Sequence, residues 1–274
     1  MKIKFCYRLS MLLTVLLFIY GKLSAQQNDQ LNGFVPEVGQ KGKDVVWVPS
    51  PPDLISVMLS MAKVTPDDYV IDLGSGDGRV VISAAKLGAH GFGIEYNHDL
   101  VELSVRNAEK EGVSGKTEFI EGDLFKCDLS KATVITLFLL PDINKKLRPK
   151  LLDLKPGTRV VSNTFAMGDW VPDKEIITEE NPNGWNTAYL WIVPAKAEGI
   201  WKIGNDILTI KQSYQVIHGW LTSQGRTYPI SDGKLYGSGI TFTIVKYLYT
   251  GLVNGEKMSG TRASDKVAGD WNAE

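Results

Sequence analysis

Between residues 70 and 79 the chain reads Val-Ile-Asp-Leu-Gly-Ser-Gly-Asp-Gly-Arg. The apolar run Tyr69 to Leu73 predicts a short strand, and Arg79 to Leu87, closed by Gly88, predicts an amphipathic helix. Gly74, Ser75, Gly76 and Gly78 lie in the loop between them. Glycine lets a backbone take positive φ and come close to a ligand. A dinucleotide loop spaced G-x-G-x-x-G would need its third glycine where Arg79 stands. Asp72 and Asp77 would also repel a pyrophosphate. The loop therefore suits a ligand with an adenosine and positive charge but no phosphate. S-adenosylmethionine, with its sulfonium and ammonium, has that description.

Two later acids stand where such a ligand would need them. Glu95 ends the predicted strand 91–95, about twenty residues after the loop, where a carboxylate can accept from ribose hydroxyls. Asp123 follows the predicted strand 117–121 in Gly122-Asp123-Leu124-Phe125, placed to accept from the adenine amino group while Leu124 packs on the ring. Ligands of open α/β sheets lie beyond the C-terminal strand ends, so acids at three successive ends converge. The expected cofactor site is Asp72, Gly74, Ser75, Gly76, Gly78, Glu95, Asp123 and Leu124. Removing Glu95 is expected to weaken cofactor binding and to leave stability without ligand nearly unchanged.

Methyl transfer is an in-line displacement at the sulfonium carbon, and the protein mainly positions donor and acceptor. If the acceptor is lysine, its amine must be neutral. Deprotonating it at pH 7 costs roughly 4–5 kcal/mol from a reference pKa near 10.4. Asp142, in Leu140-Pro141-Asp142 after the apolar run 133–140, is the candidate catalytic acid; its alternative role is to cap the helix from Ile143. Asn163, Phe165 and Trp170 follow the predicted strand 159–163 and either wall the acceptor or pack. His90, His98 and His218 have no partner spacing. With three His and two Cys, a zinc cluster and a disulfide framework are both excluded, and no metal is assigned.

These residues need elements to hold them. A helix is predicted over 53–61, opened by Pro51-Pro52, with further helices over 99–111 and 146–154, where Pro149 kinks or starts the last. Strands are predicted over 159–163 and 185–193, and 133–140 reads as a central buried strand. Repeated strand–helix alternation indicates a parallel sheet covered on both faces. Past Ala195 helical periodicity stops. Gln224-Gly225, Asp232-Gly233 and Asn254-Gly255 then read as hairpin turns between alternating runs, with nine aromatics available for a core. Residues 47–195 are expected to form the α/β domain and 198–274 a small all-β domain able to fold alone.

The whole chain has 274 residues, a net charge of −1 and 43% hydrophobic residues, an ordinary globular balance without the basicity that nucleic acid would ask for. Its start is different. Lys2, Lys4 and Arg8 precede the apolar run Leu9 to Tyr20, and Leu23-Ser24-Ala25 ends in a small residue. Residues 1–25 read as a signal peptide cut after Ala25, with 26–46 a flexible lead-in. The second reading is an uncleaved membrane anchor. Either puts the rest outside the cytoplasm, periplasmic or extracellular, with no stable span after cleavage. Loss of Lys2, Lys4, Arg8 and Lys22, with no acid removed, takes the net charge from −1 to −5.

Residues 47 to 193 resemble class I S-adenosylmethionine-dependent methyltransferases. More narrowly they are similar to the group that methylates lysine in the ATP synthase c subunit and the adenine nucleotide translocase. Trp47-Val48-Pro49-Ser50, Asp72 to Arg79, Gly93-Ile94-Glu95-Tyr96-Asn97, Gly122-Asp123-Leu124, Leu140-Pro141, Gly168-Asp169-Trp170 and Pro172-Asp173 carry the likeness. With its signal and β tail, the chain also resembles exported bacterial methyltransferase-domain proteins. The resemblance implies a Rossmann-like seven-stranded sheet binding S-adenosylmethionine at the positions named, and a protein-lysine acceptor. Two further readings stay open: a methyltransferase acting on a small molecule or lipid, and an exported binding protein that keeps the fold without turnover, its β domain docking a partner.

Overall fold

The computed structural model describes residues 33–179, 184–265 and 267–274. The signal-peptide reading lies outside them. Four helices and seven strands build the first unit: α1 (Pro52–Met61), β1 (Tyr69–Leu73), α2 (Arg79–Lys86), β2 (His90–Glu95), α3 (His98–Lys110), β3 (Thr117–Glu121), β4 (Val134–Leu137), α4 (Pro141–Leu152), β5 (Arg159–Asn163), β6 (Lys174–Ile177) and β7 (Thr187–Ile192). The strand order is β3-β2-β1-β4-β5-β7-β6. β1 to β5 are parallel, and β7 runs antiparallel to β5 and β6. β1 and β4 are the central pair, which is why Val70-Ile71-Asp72-Leu73 and Val134 to Leu137 are buried throughout. The chain leaves β1 for one edge and returns at β4 on its other side. A crevice opens at that switch point beyond the strand ends.

Apolar layers cover both faces. One sets Leu54, Met58 and Leu59 of α1 and Val80 and Ala84 of α2 against the sheet. The other gathers Leu147 and Leu151 of α4 with Trp170 and Trp191. The apolar run 133–140 is a strand only to Leu137, because Phe138 to Leu140 turn toward the crevice. α4 begins at Pro141 rather than Lys146, with Pro141 at its first turn and Pro149 within it.

The second unit is a meander of eight antiparallel strands, β8 (Gly199–Ile203), β9 (Asp206–Ser213), β10 (Val216–Ser223), β11 (Arg226–Tyr236), β12 (Gly239–Ile244), β13 (Tyr247–Asn254), β14 (Lys257–Ser264) and β15 (Val267–Ala273). Lys202 N donates to Glu274 O at 2.8 Å and Glu274 N donates back to Lys202 O at 3.3 Å, so the ends of the meander meet and the sheet closes on itself. Trp201, Phe242, Tyr249 and Trp271 fill the interior with Leu208, Ile217 and Leu235. Gln224-Gly225 is a hairpin turn as expected, whereas the turn expected at Asn254-Gly255 falls one residue later, at Gly255-Glu256, with Asn254 paired to Lys257. Asp232-Gly233 is not a hairpin turn. It lies inside β11 as a bulge, where the register against β12 shifts between Ser231 and Lys234 and Asp232 takes φ +53°.

The two units touch through few groups. Trp170, wholly buried, stacks on Tyr214 with ring centroids 6.1 Å apart, and Tyr214 Oη donates to Asp169 Oδ2 at 2.9 Å. Gln215 Nε2 donates to Val171 O at 2.7 Å, and Ala195 N to Gly237 O at 2.8 Å.

Candidate active site

The glycine loop is fixed from three sides. Gly76 has φ +55°, a conformation that side chains rarely take, and a Cβ there would lie 2.7 Å from Trp47 Nε1. Ser104 Oγ of α3 donates to Gly76 O at 2.8 Å, and Asn107 Nδ2 to Asp77 O at 2.9 Å. Arg79 grips Asp77 through Nε (2.9 Å) and Nη2 (2.6 Å) and donates from Nη1 to Ser50 O at 3.1 Å. Asp77 is thus a structural partner of Arg79.

Glu95 holds the loop as well. Its Oε2 accepts from Gly76 N at 2.9 Å, and Oε1 accepts from Tyr96 N at 2.8 Å and Asn97 N at 2.9 Å. The expectation that Glu95 carries no structural duty is corrected. Three backbone donors depend on it, with carboxylate capacity left for a ligand hydroxyl.

Asp72 is 5% exposed and accepts from Thr136 Oγ1 at 2.7 Å. Burial pushes its pKa up to about 7; the Thr136 hydroxyl opposes this, and the negative charges of Glu95 and Asp77 add to it. A cationic ligand would supply the missing countercharge. Ser75 Oγ is buried without a hydrogen-bond partner. Asp123 accepts from Phe125 N at 3.0 Å and from Lys43 Nζ at 3.0 Å. The Lys43 hydrogen bond, first, and the Phe125 N–H hold its carboxyl below the usual range.

Lys43 belongs to the stretch expected to be a flexible lead-in. Residues 39–47 instead form a built turn, with Gly39 N donating to Trp47 O, Trp47 N to Gln40 O, and a bridge between Lys41 and Val46. This turn lines one cavity together with Asp72, Gly74, Ser75, Gly76, Glu95, Asp123 and Leu124. Gly78 stands behind it, capping α2, where a Cβ would meet Phe119 and Ser104 at 2.9 Å. Only Trp47-Val48-Pro49-Ser50 signalled this wall in the sequence.

The far end of the cavity is lined by Phe138, Leu139, Leu140, Ile143, Phe165 and Trp185. Phe165 is where it was expected. Trp170 is buried between Trp191 and Tyr214, and Asn163 is buried with its Nδ2 donating to Ser50 Oγ, so neither lines the cavity. Asp142 is also outside it. Its side chain is 96% exposed, 3.6 Å from Lys145, in the first turn of α4, whose N-cap is Leu140. The structure brings it to neither of the roles considered for it. Phe138 and Trp185 were missed, lying just outside strands rather than at a polar signature.

The cavity is therefore split along the sheet, with carboxylates beyond β1, β2 and β3 and rings beyond β4, β5 and before β7. Comparison with known proteins agrees with this layout. Residues 72–174 match the family model described as the ANTKMT methyltransferase domain. A protein-lysine N-methyltransferase of Saccharolobus islandicus is 45% identical over 152 residues, which span 54% of this chain and 94% of that protein. The chain belongs to this family of S-adenosylmethionine-dependent methyltransferases. A lysine N-methyltransferase of the ATP synthase c subunit, from Xenopus laevis, is 37% identical over 46% of this chain, but only 56% of that relative is spanned. Among solved structures, an RNA methyltransferase from Salinibacter ruber, in complex with S-adenosyl-L-homocysteine, is 48% identical with a TM-score of 0.52, covering 54% of this chain and 95% of that one. The cofactor of this methyltransferase is S-adenosylmethionine, and the buried Asp72 and unpartnered Ser75 hydroxyl suit its charge and polar groups.

Proposed function

We propose that the enzyme methylates the side-chain amine of lysine in a protein. S-adenosylmethionine, when bound, supplies an electrophilic methyl group on a sulfonium. Asp72, Gly74, Ser75, Gly76, Glu95, Asp123 and Leu124 would hold and orient it, Asp72 facing positive charge and Asp123 the adenine amino group, while Gly78 behind the cavity shapes the loop rather than touching the cofactor. The observation that carries the reading is the uncharged far end of the cavity. A lysine inserted there would meet no carboxylate among the described residues at that end, and burial lowers an amine's pKa toward the neutral, nucleophilic form. The names of the Saccharolobus and Xenopus relatives support the same acceptor.

The Salinibacter relative is described as acting on RNA. Here the aromatic end offers a base edge only the Trp185 indole N–H among its side chains. The test is mass spectrometry after incubating the chain and S-adenosylmethionine with cell-envelope protein, total RNA and lipid extracts separately. Methyl groups on lysine side chains are expected. Transfer to RNA or lipid with lysines untouched would overturn the reading.

Export after cleavage near Ala25 belongs to the same proposal, as does a division into a methyltransferase unit over 47–195 and a β unit over 198–274. The β unit would meet the partner. Exposed Tyr236 and Leu252 flank Gly239 in one cross-strand row on its surface, which suits a contact face. Among the described residues no helix is long and apolar enough to cross a membrane.

A further inference from the structure

We propose that Phe138, Phe165 and Trp185 form the acceptor subsite, an aromatic wall that recognises an alkylammonium side chain by its ring faces; this rests on the amine-methylating reading above. Phe138 and Phe165 lie nearly parallel, at 20° with centroids 6.1 Å apart. Trp185 meets both edge-on, at 5.4 Å and 68° from Phe138 and at 5.8 Å and 60° from Phe165. Each comes from a different connection. Phe138 is the first residue past β4, and the next residue, Leu139, is the one that lies against Gly74 of the glycine loop. Phe165 follows β5 and Trp185 precedes β7.

The wall is held at an energetic cost. Thr164, β-branched, sits at φ +61°, a left-handed conformation that persists only where the surroundings over-determine it. They do so here. Thr164 N donates to Thr187 O at 2.6 Å and Phe165 N to Asn163 O at 2.7 Å. The Phe165 carbonyl accepts from both Ser162 Oγ at 2.7 Å and Asn144 Nδ2 at 3.0 Å. Two donors on one carbonyl and a strained neighbour fix the backbone from which the Phe165 ring projects. Strain of this kind gathers at ligand clamps.

Ring faces draw in a cation electrostatically and offer a proton no acceptor. Such a wall admits the ammonium and holds the methylated cation; the amine must lose its proton to water before it attacks, and that loss is favoured by burial and opposed by the ring faces. The lining residues Leu139, Leu140 and Ile143 keep this end uncharged.

The probe is tetramethylammonium, with neopentyl alcohol as a neutral control of similar shape. The full chain loaded with S-adenosylhomocysteine is titrated while the Trp185 indole N–H resonance, assigned with Trp185→Phe, is followed by NMR. Tetramethylammonium is expected to shift that resonance at least fivefold more tightly than the alcohol. Phe165→Leu is expected to weaken it about tenfold, with S-adenosylhomocysteine affinity within twofold of the parent. Phe138→Leu serves the same purpose should the first variant lose cofactor binding. An unmoved Trp185 signal, or equal response to cation and alcohol, overturns the subsite. A variant that loses S-adenosylmethionine while keeping S-adenosylhomocysteine overturns it too, by moving the rings to the donor sulfonium. Cation binding without lysine methylation in the envelope assay would leave the subsite standing and remove the lysine reading, so the two fail separately.

Discussion

Gly76 and Gly260 are both crowded, for opposite reasons. Gly76 stands in a loop beyond the parallel strands, where Trp47 closes over it at the edge of the proposed cofactor cavity. Gly260 stands inside β14, paired with Gly251 and Trp271, and a Cβ on it would overlap the Thr250 carbonyl of the neighbouring strand. One clears room for another molecule, the other for the protein's own backbone. The first unit sends its long connections to one end of the sheet and puts its chemistry there. The second joins its strands by short turns, closes on itself and points its aromatics inward. Loops on a rigid scaffold carry function, and a closed meander offers little except its outer face.

The sharpest way to break this comparison is to fill each glycine. Gly76→Val should lower S-adenosylhomocysteine affinity more than a hundredfold by calorimetry while the β-unit signal in near-ultraviolet circular dichroism persists. Gly260→Val should leave the binding constant within a few-fold and destabilise the closed sheet by about 3 kcal/mol, as overpacking does. The comparison fails if the two phenotypes exchange.

Glu95→Ala should be felt twice. Losing hydrogen bonds to a charged group should weaken cofactor binding by about 1.5–3 kcal/mol. Orphaning the Gly76, Tyr96 and Asn97 donors should also lower unliganded stability by about 1–3 kcal/mol in denaturant titration. Unchanged stability would make Glu95 a pure ligand residue.

Asp72 links the site to pH. Its folded pKa, raised to about 7 from 3.8, makes its protonated form the stabilising one. That contribution is complete below the unfolded value and is lost as pH rises through about 7. Asp72→Asn should therefore raise the unliganded melting temperature at pH 8 and change it little at pH 4. A cation favours the ionised form, so S-adenosylmethionine affinity of the parent should fall as pH drops below about 7, and the Asn variant should not show this slope. A parent affinity flat between pH 5.5 and 8 would remove the charge pairing.

The smallest effect concerns the join between the units. Tyr214→Phe keeps the stack on Trp170 and deletes the bond to exposed Asp169, so a loss of about 0.5–1 kcal/mol in stability and no change in cofactor binding is expected. The same stack bears on a chain ending at Ala195. It would expose the buried Trp170, and independence of the first unit then depends on how that ring is recovered.

Much of this arrangement was legible beforehand, because the strongest local signals coincide with burial. Val70 to Leu73 and Val134 to Leu137 are apolar except for Asp72 and Thr136, which hydrogen-bond to each other, and the glycine loop follows the first of them directly. β6 escaped notice because Lys174-Glu175-Ile176-Ile177 forms the sheet edge and is largely exposed, so no periodicity marks it. Asp232-Gly233 misled because a bulge and a hairpin turn ask for the same positive-φ chemistry. Lys43 and Trp185 are set by tertiary approach: their partners Asp123 and Phe138 are distant in sequence, and no local pattern encodes such pairs.

The Lys43–Asp123 pair has a consequence for selectivity. The Asp123 carboxylate, proposed above to receive the adenine amino group, already has a donor, so on that reading binding would exchange one hydrogen-bond partner for another. Asp123 then contributes to affinity only the difference between two bonds, yet a base without an amino group there would leave Lys43 displaced with nothing in return. On that reading the residue would act as a discriminator between nucleosides more than as an anchor, and added salt, by loosening the half-exposed ion pair, would speed association and blunt that discrimination.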